Sequence, residues 1–326
     1  MRVNFTPIAA GDVEQVTREF FAPEFAAQQL GQTGRWFGLE SERLGLKGPV
    51  EKPILDRLLQ GVPVNGASVP GGSLRAADQP VGWKVTFEVD RRHNTLWAVG
   101  NAETRQTTEL IHAMSVNATL DRMDKIVRRV AGFPAEERAG AAYASFVSGT
   151  GEGQVPGLRS TVIIPHGHRR EDGSVMSFPA KNVLQSQARL SHSYMCEFVP
   201  RALYAFGRVG CLRSEIPKNL FRPLAQDRAI SGPAAKDTAM VFVGEDLFVQ
   251  WRRQAQLRGF GPDQVAEVLR EARAQARIYG IAADFERPGT VALLKALSQK
   301  LWDVCLRPGP STHSPNPQRG EHRPSL

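Results

Sequence analysis

The residues of this chain that could do chemistry are its histidines, tyrosines and cysteines, and their spacing limits what each could do. His166 and His168 form an HxH pair, which could hold a divalent metal if both rings faced one side. They stand beside Arg169-Arg170-Glu171-Asp172-Gly173, so surface histidines on a basic turn are the competing reading. His93 and His112 lie elsewhere in the chain. A tyrosine hydroxyl is a candidate nucleophile, but the first tyrosine is Tyr143, followed by Tyr194. The three cysteines, Cys196, Cys211 and Cys305, are odd in number and far apart, which argues against a disulfide framework and a CxxC metal site. No GxxxxGK[ST] run occurs, so the chain carries no phosphate-loop motor signature.

Charge supplies the next constraint. Lys and Arg total 41 against 33 acidic residues, a net charge of +8. Such a surface favours polyanions, because phosphate neutralisation is the sequence-independent part of nucleic-acid affinity. The hydrophobic fraction of 41% over 326 residues is enough for one large domain or two modest ones with a real core. No apolar run reaches bilayer-spanning length, and MRVNFTPIAAGDVEQ lacks the basic-then-apolar pattern of a signal peptide. The expectation is a cytoplasmic protein with no membrane partner.

The elements that must position these side chains follow from periodicity. Residues 12–30 mix apolar and polar positions at helical spacing, interrupted by Pro23. Ile54, Leu55, Leu58 and Leu59 make a helical stripe, which predicts a helix over 51–60. Gly, Pro and Ser make 61–80 a loop. Strong alternation predicts a strand over 82–90, and further strands are expected over 141–148 and 158–165, with a short fourth strand at Val175–Phe178 after the turn that holds the HxH pair. Residues 101–131 read as a long helix with a basic end, and 183–207 as a helix that Pro200 should kink or split. A strand is expected at 211–216. Two helices fill 245–282, joined near Gly259-Phe260-Gly261, and a last helix 288–305. The tail beyond Arg307 has almost no large apolar residue and should be disordered. Strands interleaved with long helices predict an α+β fold, a mainly antiparallel sheet backed by helices.

Three blocks in order carry a family resemblance: GRWFGLESERLGLKGPV (34–50), VGWKVTFEVDRRHNTLWA (81–98) and the run from LRSTVIIP through EDGSVMSFPAKN into the helix containing Tyr194 and Leu203. Together they resemble the TrwC-like relaxase domain of MobF conjugative proteins, over about residues 5–280. The resemblance implies a relaxase, HUH-like palm with a helical C-terminal region. In its second block it implies a strand, a loop and a second strand. The expected divisions are an α+β domain at 1–232, a helical extension of the same domain at 233–305 and the tail at 306–326. Such domains bind origin-of-transfer DNA, cut one strand and stay joined to its 5′ phosphate. An N-terminal tyrosine attacks, three histidines hold a divalent metal that steadies the developing charge, and an aspartate orients these groups.

At the matching positions this chain has other side chains. Phe20, Phe21 and Phe25 stand where the family has tyrosines, and a phenyl ring has no oxygen to attack phosphorus. Arg159 and Thr161 stand at two metal-ligand positions, and Ser148 falls near the third. Arginine cannot ligate a divalent cation and repels one, so no cofactor is expected. Lys84 replaces the aspartate. Two readings of the new cations stand side by side: drift towards solvent, or Arg159 and Lys84 holding a phosphate where a metal once bridged to it. Further candidate DNA contacts are Arg35 and Trp36, which could clamp or stack on a strand, Arg91 and Arg92 in a loop, and Lys181 and Asn182 before a helix. The expected partner is DNA, single-stranded or hairpin and of origin-of-transfer type, with proteins of a conjugation system as further partners. The alternatives are an active relaxase using Tyr143 or Tyr194, a metal-dependent nuclease at His166 and His168, and an interaction scaffold that binds no DNA.

Overall fold

In the computed structural model the described residues are 1–22, 34–67, 80–130, 141–150, 155–165, 168–169, 175–176, 180–207, 209, 216–217, 220–221 and 245–278. Five strands form one antiparallel sheet: β1 (Arg2–Ile8), β2 (Arg35–Phe37), β3 (Gly82–Glu88), β4 (Tyr143–Thr150) and β5 (Pro156–Pro165), in the order β1-β3-β5-β4-β2. The central strand is the one whose sequence is apolar without alternation. Val162, Ile163 and Ile164 are all buried, as a strand covered on both faces requires. β3 carries the alternation that identified it, with Trp83, Val85 and Phe87 buried and Lys84, Thr86 and Glu88 half-buried. β1 is an element that the periodicity reading did not identify. Pro7 interrupts its pattern, and the sheet tolerates it because β1 is an edge strand.

The helices are α1 (Val13–Phe21), α2 (Leu39–Arg43), α3 (Lys52–Gln60), α4 (Arg91–Val99), α5 (Ala102–Val130), α6 (Ala180–Phe206), α7 (Glu245–Gln256) and α8 (Pro262–Ile278), and a hairpin of β6 (His168–Arg169) and β7 (Val175–Met176) precedes α6. They divide between the two faces. Apolar residues of α4 to α8 join Trp83, Val85, Phe87, Leu158, Val162 and Ile164 in one core cluster. α1 and α3 join Ile8, Trp36, Ala144, Phe146 and Ile163 in a second. Trp97 of α4 links the C-terminal helices to the first cluster. Its ring lies 4.9 Å from Phe248 and 5.5 Å from Trp251, and its indole N–H donates to Glu109 at 2.8 Å.

One expectation is corrected and a second is narrowed. Residues 91–99 form a helix where the resemblance implied a loop and a second strand. Asp90 caps it by accepting from the backbone N–H of Arg92 (3.0 Å) and His93 (3.3 Å), and Leu96 to Val99 are all buried, which suits a helix enclosed by neighbours. Pro200 does not split its element, and α6 runs through it. Pro200 lies on the exposed side, where water can satisfy the carbonyl that loses its partner. Tyr194, Phe198, Ala202 and Phe206 hold the other side in the core. Of the strand expected over 211–216 only Ile216 is described, and the helix at 288–305 and the tail at 306–326 lie outside the described residues.

Gly207 ends α6 with φ 77°, and its N–H donates to Leu203 O at 2.9 Å. A Cβ there would sit 2.5 Å from the carbonyl of Ala272 in α8, so both the dihedral and the crossing helix exclude a side chain. Gly207→Ala is expected to lower unfolding stability by more than about 1 kcal/mol, read as the denaturant midpoint. An unchanged midpoint would mean that the two helices separate without cost.

Candidate nucleic-acid interface

Strand register assembles the candidate site from residues far apart in sequence. On the sheet face covered by α1 and α3, three rows run across β3, β5 and β4: Lys84, Ile163 and Ala144; Thr86, Thr161 and Phe146; Glu88, Arg159 and Ser148. α1 brings its aromatics onto the middle row. Phe20 stacks on Phe146 with ring centroids 4.4 Å apart and planes at 19°, and Phe21 meets the same ring edge-on at 5.9 Å. Phe20, Phe21, Lys84, Ser148, Arg159 and Thr161 therefore share one face. Phe25 lies outside the described residues.

Each cation on this face has a partner. Lys84 Nζ donates to both carboxylate oxygens of Glu19, at 2.8 and 2.6 Å, and lies 5.4 Å from the Phe20 ring centroid. Arg159 Nε donates to Ser148 Oγ at 2.9 Å. Lys84 is opposite Ile163 and Arg159 is opposite Glu88, so the two cations are four residues apart along the strands, about 13 Å at ~3.3 Å per residue. They turn to different neighbours and do not converge as a clamp on one phosphate.

The donor set at these positions does not fit a divalent metal. Thr161 and Ser148 offer neutral hydroxyls, 6% and 2% exposed, and the Ser148 oxygen already accepts from a guanidinium, which would repel a cation. Among the described residues no group of three or more His, Cys, Asp or Glu could hold a metal ion. His166 lies outside the described residues, and of His168 only the backbone in β6 is described.

The remaining candidate contacts are scattered. Trp36 is 9% exposed and packed in the core cluster beneath α1 and α3, which makes it a core side chain where a stacking platform was one expectation. Arg35 is half-buried and bridges to Pro49. Arg91 and Arg92 stand in the first turn of α4, not in a loop, and Arg91 Nη2 donates to Pro217 O at 3.0 Å. Lys181 and Asn182 begin α6, with side chains outside the described residues. No helix among the described residues is long and apolar enough to cross a membrane.

The two tyrosines offered as displaced nucleophiles lie under the opposite face. Tyr143 is 2% exposed and stacks on Phe37 at 4.9 Å. Tyr194 is 0% exposed, and burial raises its hydroxyl well above the usual value, with Asp90 adding to the effect. Its Oη lies 2.7 Å from His112 Nδ1, and His112 Nε2 lies 2.8 Å from Ser160 Oγ. This chain of three side chains is a polar feature that sequence reasoning missed. Its signal was available: His112 sits among Thr108, Ile111, Ser115 and Thr119, all on the buried side of one long helix. Burial drives the imidazole down from 6.5 to about 3, so at neutral pH one ring nitrogen donates and the other accepts.

The antiparallel sheet with helices on both faces is consistent with a relaxase fold, and the chain belongs to the TrwC relaxase family, whose model matches residues 13–207. Solved structures of the conjugative relaxase TrwC in complex with oriT DNA share the fold. The metal-bound form has 17% identity and a TM-score of 0.57. A copper-bound and a metal-free form each have 16% identity and a TM-score of 0.55. Each match covers 79% of this chain and 99% of the other. A comparison with curated protein sequences found no match.

The buried imidazole links stability to pH. Folded His112 takes its proton only near pH 3, whereas the unfolded side chain takes it near pH 6.5. Between these values the unfolded chain binds the extra proton, so stability present above pH 6.5 is lost as pH falls, by up to about 1.4 kcal/mol per pH unit. Asp90, which burial would raise but contacts with His93 lower from 3.8 to about 2, acts in the same sense at lower pH. Urea unfolding between pH 7 and 4.5 should show this slope, and His112→Gln should flatten it. A variant with an undiminished slope would assign the effect to other groups.

Proposed function

We propose that this chain is a DNA-binding member of the TrwC family that acts in conjugative DNA transfer without cutting the strand it holds. The observation that carries the reading is the packing of Phe20 on Phe146, beside Arg159 and Thr161. A nucleophilic oxygen and a metal would have to meet there, and the chain instead supplies a phenyl stack and a guanidinium. Neither side chain attacks phosphorus or ligates a divalent cation. The burial of Tyr143 and Tyr194 under the other face also counts against a displaced nucleophile. The net charge of +8 supports phosphate binding. The ligand is origin-of-transfer DNA, as a hairpin or a single strand, by analogy with the DNA carried by the related TrwC structures. The setting is the cytoplasm of a cell carrying a plasmid or other mobile element, among proteins of its conjugation system.

A strand-cutting assay separates this reading from an active enzyme. With Mg²⁺ or Mn²⁺, supercoiled plasmid and single-stranded origin DNA should stay uncut and no protein–5′ phosphate adduct should form. A hairpin-bearing single strand should shift on a gel, with affinity falling steeply as salt rises. Arg159→Ala combined with Lys84→Ala should weaken that binding. A covalent adduct would overturn the loss of chemistry, and binding without a salt slope would overturn the phosphate reading.

A further inference from the structure

The three rows of the candidate face hold only if β5 keeps its register, and apolar burial alone does not fix it. A slip of one residue would turn Arg159 into the opposite core, among Leu158, Val162 and Ile164, where an unpaired charge is forbidden. A slip of two residues is different. It keeps the faces and exchanges Leu158, Val162 and Ile164, all buried in the same cluster, among slots of one kind. Backbone pairing resists it only at the two ends of β5, where Pro156 and Pro165 lack an N–H; between them the strand carbonyls and N–H groups are the same at every residue. Even the bond from Leu158 N to Asn94 Oδ1, at 2.9 Å, is made by a backbone N–H that any non-proline residue would supply.

One side chain on the face of β5 beneath α5 and α6 breaks this equivalence. Ser160 is 2% exposed, and its hydroxyl meets His112 Nε2 from α5 at 2.8 Å, while Tyr194 from α6 meets His112 Nδ1 at 2.7 Å. After a slip of two, Leu158 or Val162 would face His112 and leave a buried ring nitrogen without a partner. On the other face, Arg159 and Thr161 would move about 7 Å past Ser148 and the Phe20–Phe146 stack.

We propose that Tyr194, His112 and Ser160 form a register lock on the central strand, positioning Arg159 and Thr161 on the opposite face. Ser160 lies between these two residues, so the lock acts at the point where displacement would matter most. None of the three touches the DNA; they are positioning residues. Their effect on affinity rests on the proposed DNA-binding role of this face, whereas their effect on the strand does not.

The test follows the Arg159 side chain itself. In the full chain, Ser160→Ala should shift the Arg159 Nε–Hε resonance and remove its protection from solvent exchange. Amide exchange across residues 158–164 should become roughly tenfold faster. Tyr194→Phe should act in the same direction more weakly, and Ser160→Thr, which restores a hydroxyl, should return the signal towards the parent. With a hairpin-bearing single strand as probe, Ser160→Ala should weaken binding about as much as Arg159→Ala, and the double variant no further. An unchanged Arg159 resonance in both Ser160→Ala and Tyr194→Phe overturns the lock, even if both variants are less stable. If Arg159→Ala alone leaves affinity unchanged, the proposed DNA face fails while the resonance still decides the lock.

Discussion

A strand buried on both faces has no solvent side to orient it, and the arrangement of this molecule depends on how β5 meets that constraint. Val162, Ile163 and Ile164 satisfy both core clusters in turn, so apolar burial holds β5 in the middle of the sheet without choosing its position along the strand axis. Two polar residues make the choice. Arg159 is half-buried on one face, with its Nε on Ser148. Ser160 is buried on the other, against His112. Helices, sheet edges and candidate site take their places from that strand.

The candidate face is held together by packing and one ion pair. Lys84 meets Glu19, and Phe20 meets Phe146, so α1 is fastened to the sheet at two points. An aromatic stack contributes about 0.5–1.5 kcal/mol beyond its buried area. An ion pair as exposed as this one, with Glu19 at 47% and Lys84 at 23%, contributes ~1 kcal/mol or less. The stack is therefore the stronger fastening. A phenol at Phe20 would bring a hydroxyl that needs its own partner if buried, whereas the phenyl ring suits a dry interface.

Under the opposite face several polar residues are matched across elements, although the buried indole N–H of Trp83 has no partner. His112 joins α5, α6 and β5 through its two ring nitrogens. Nearby, Arg122 of α5 bonds Ser193 at 3.1 Å and pairs with Glu197, both on α6. Buried polar groups with partners on specific elements restrict the packings available to long helices, whose apolar faces could otherwise slide past one another. The C-terminal helices are held differently, by large apolar contacts around Trp97, with Arg105 4.0 Å over the Phe248 ring.

Local chemistry was legible in the sequence. Alternation placed β3, and strands were also expected where β4 and β5 lie. Helical spacing placed α3, α5, α6 and the pair α7 and α8. The types of the residues at Phe20, Lys84, Arg159 and Thr161 already argued against metal-assisted strand cutting. The partners were not legible. Lys84 reaches Glu19 across 65 residues, and His112 reaches Ser160 across 48 and Tyr194 across 82. Periodicity reports only which face a residue occupies, whereas a side-chain bond between distant elements depends on register and helix crossing. The same limit explains β1, whose Pro7 is acceptable only because the tertiary structure puts that strand at an edge. Residues 91–99, where the resemblance implied a loop and a strand, are a helix because of the Asp90 cap and enclosure by neighbouring helices. The sequence by itself determined which residue types stand at the positions of the candidate face. The tertiary structure decided that its two cations are separated and paired, because only strand register and the seat of α1 set what lies within reach of each.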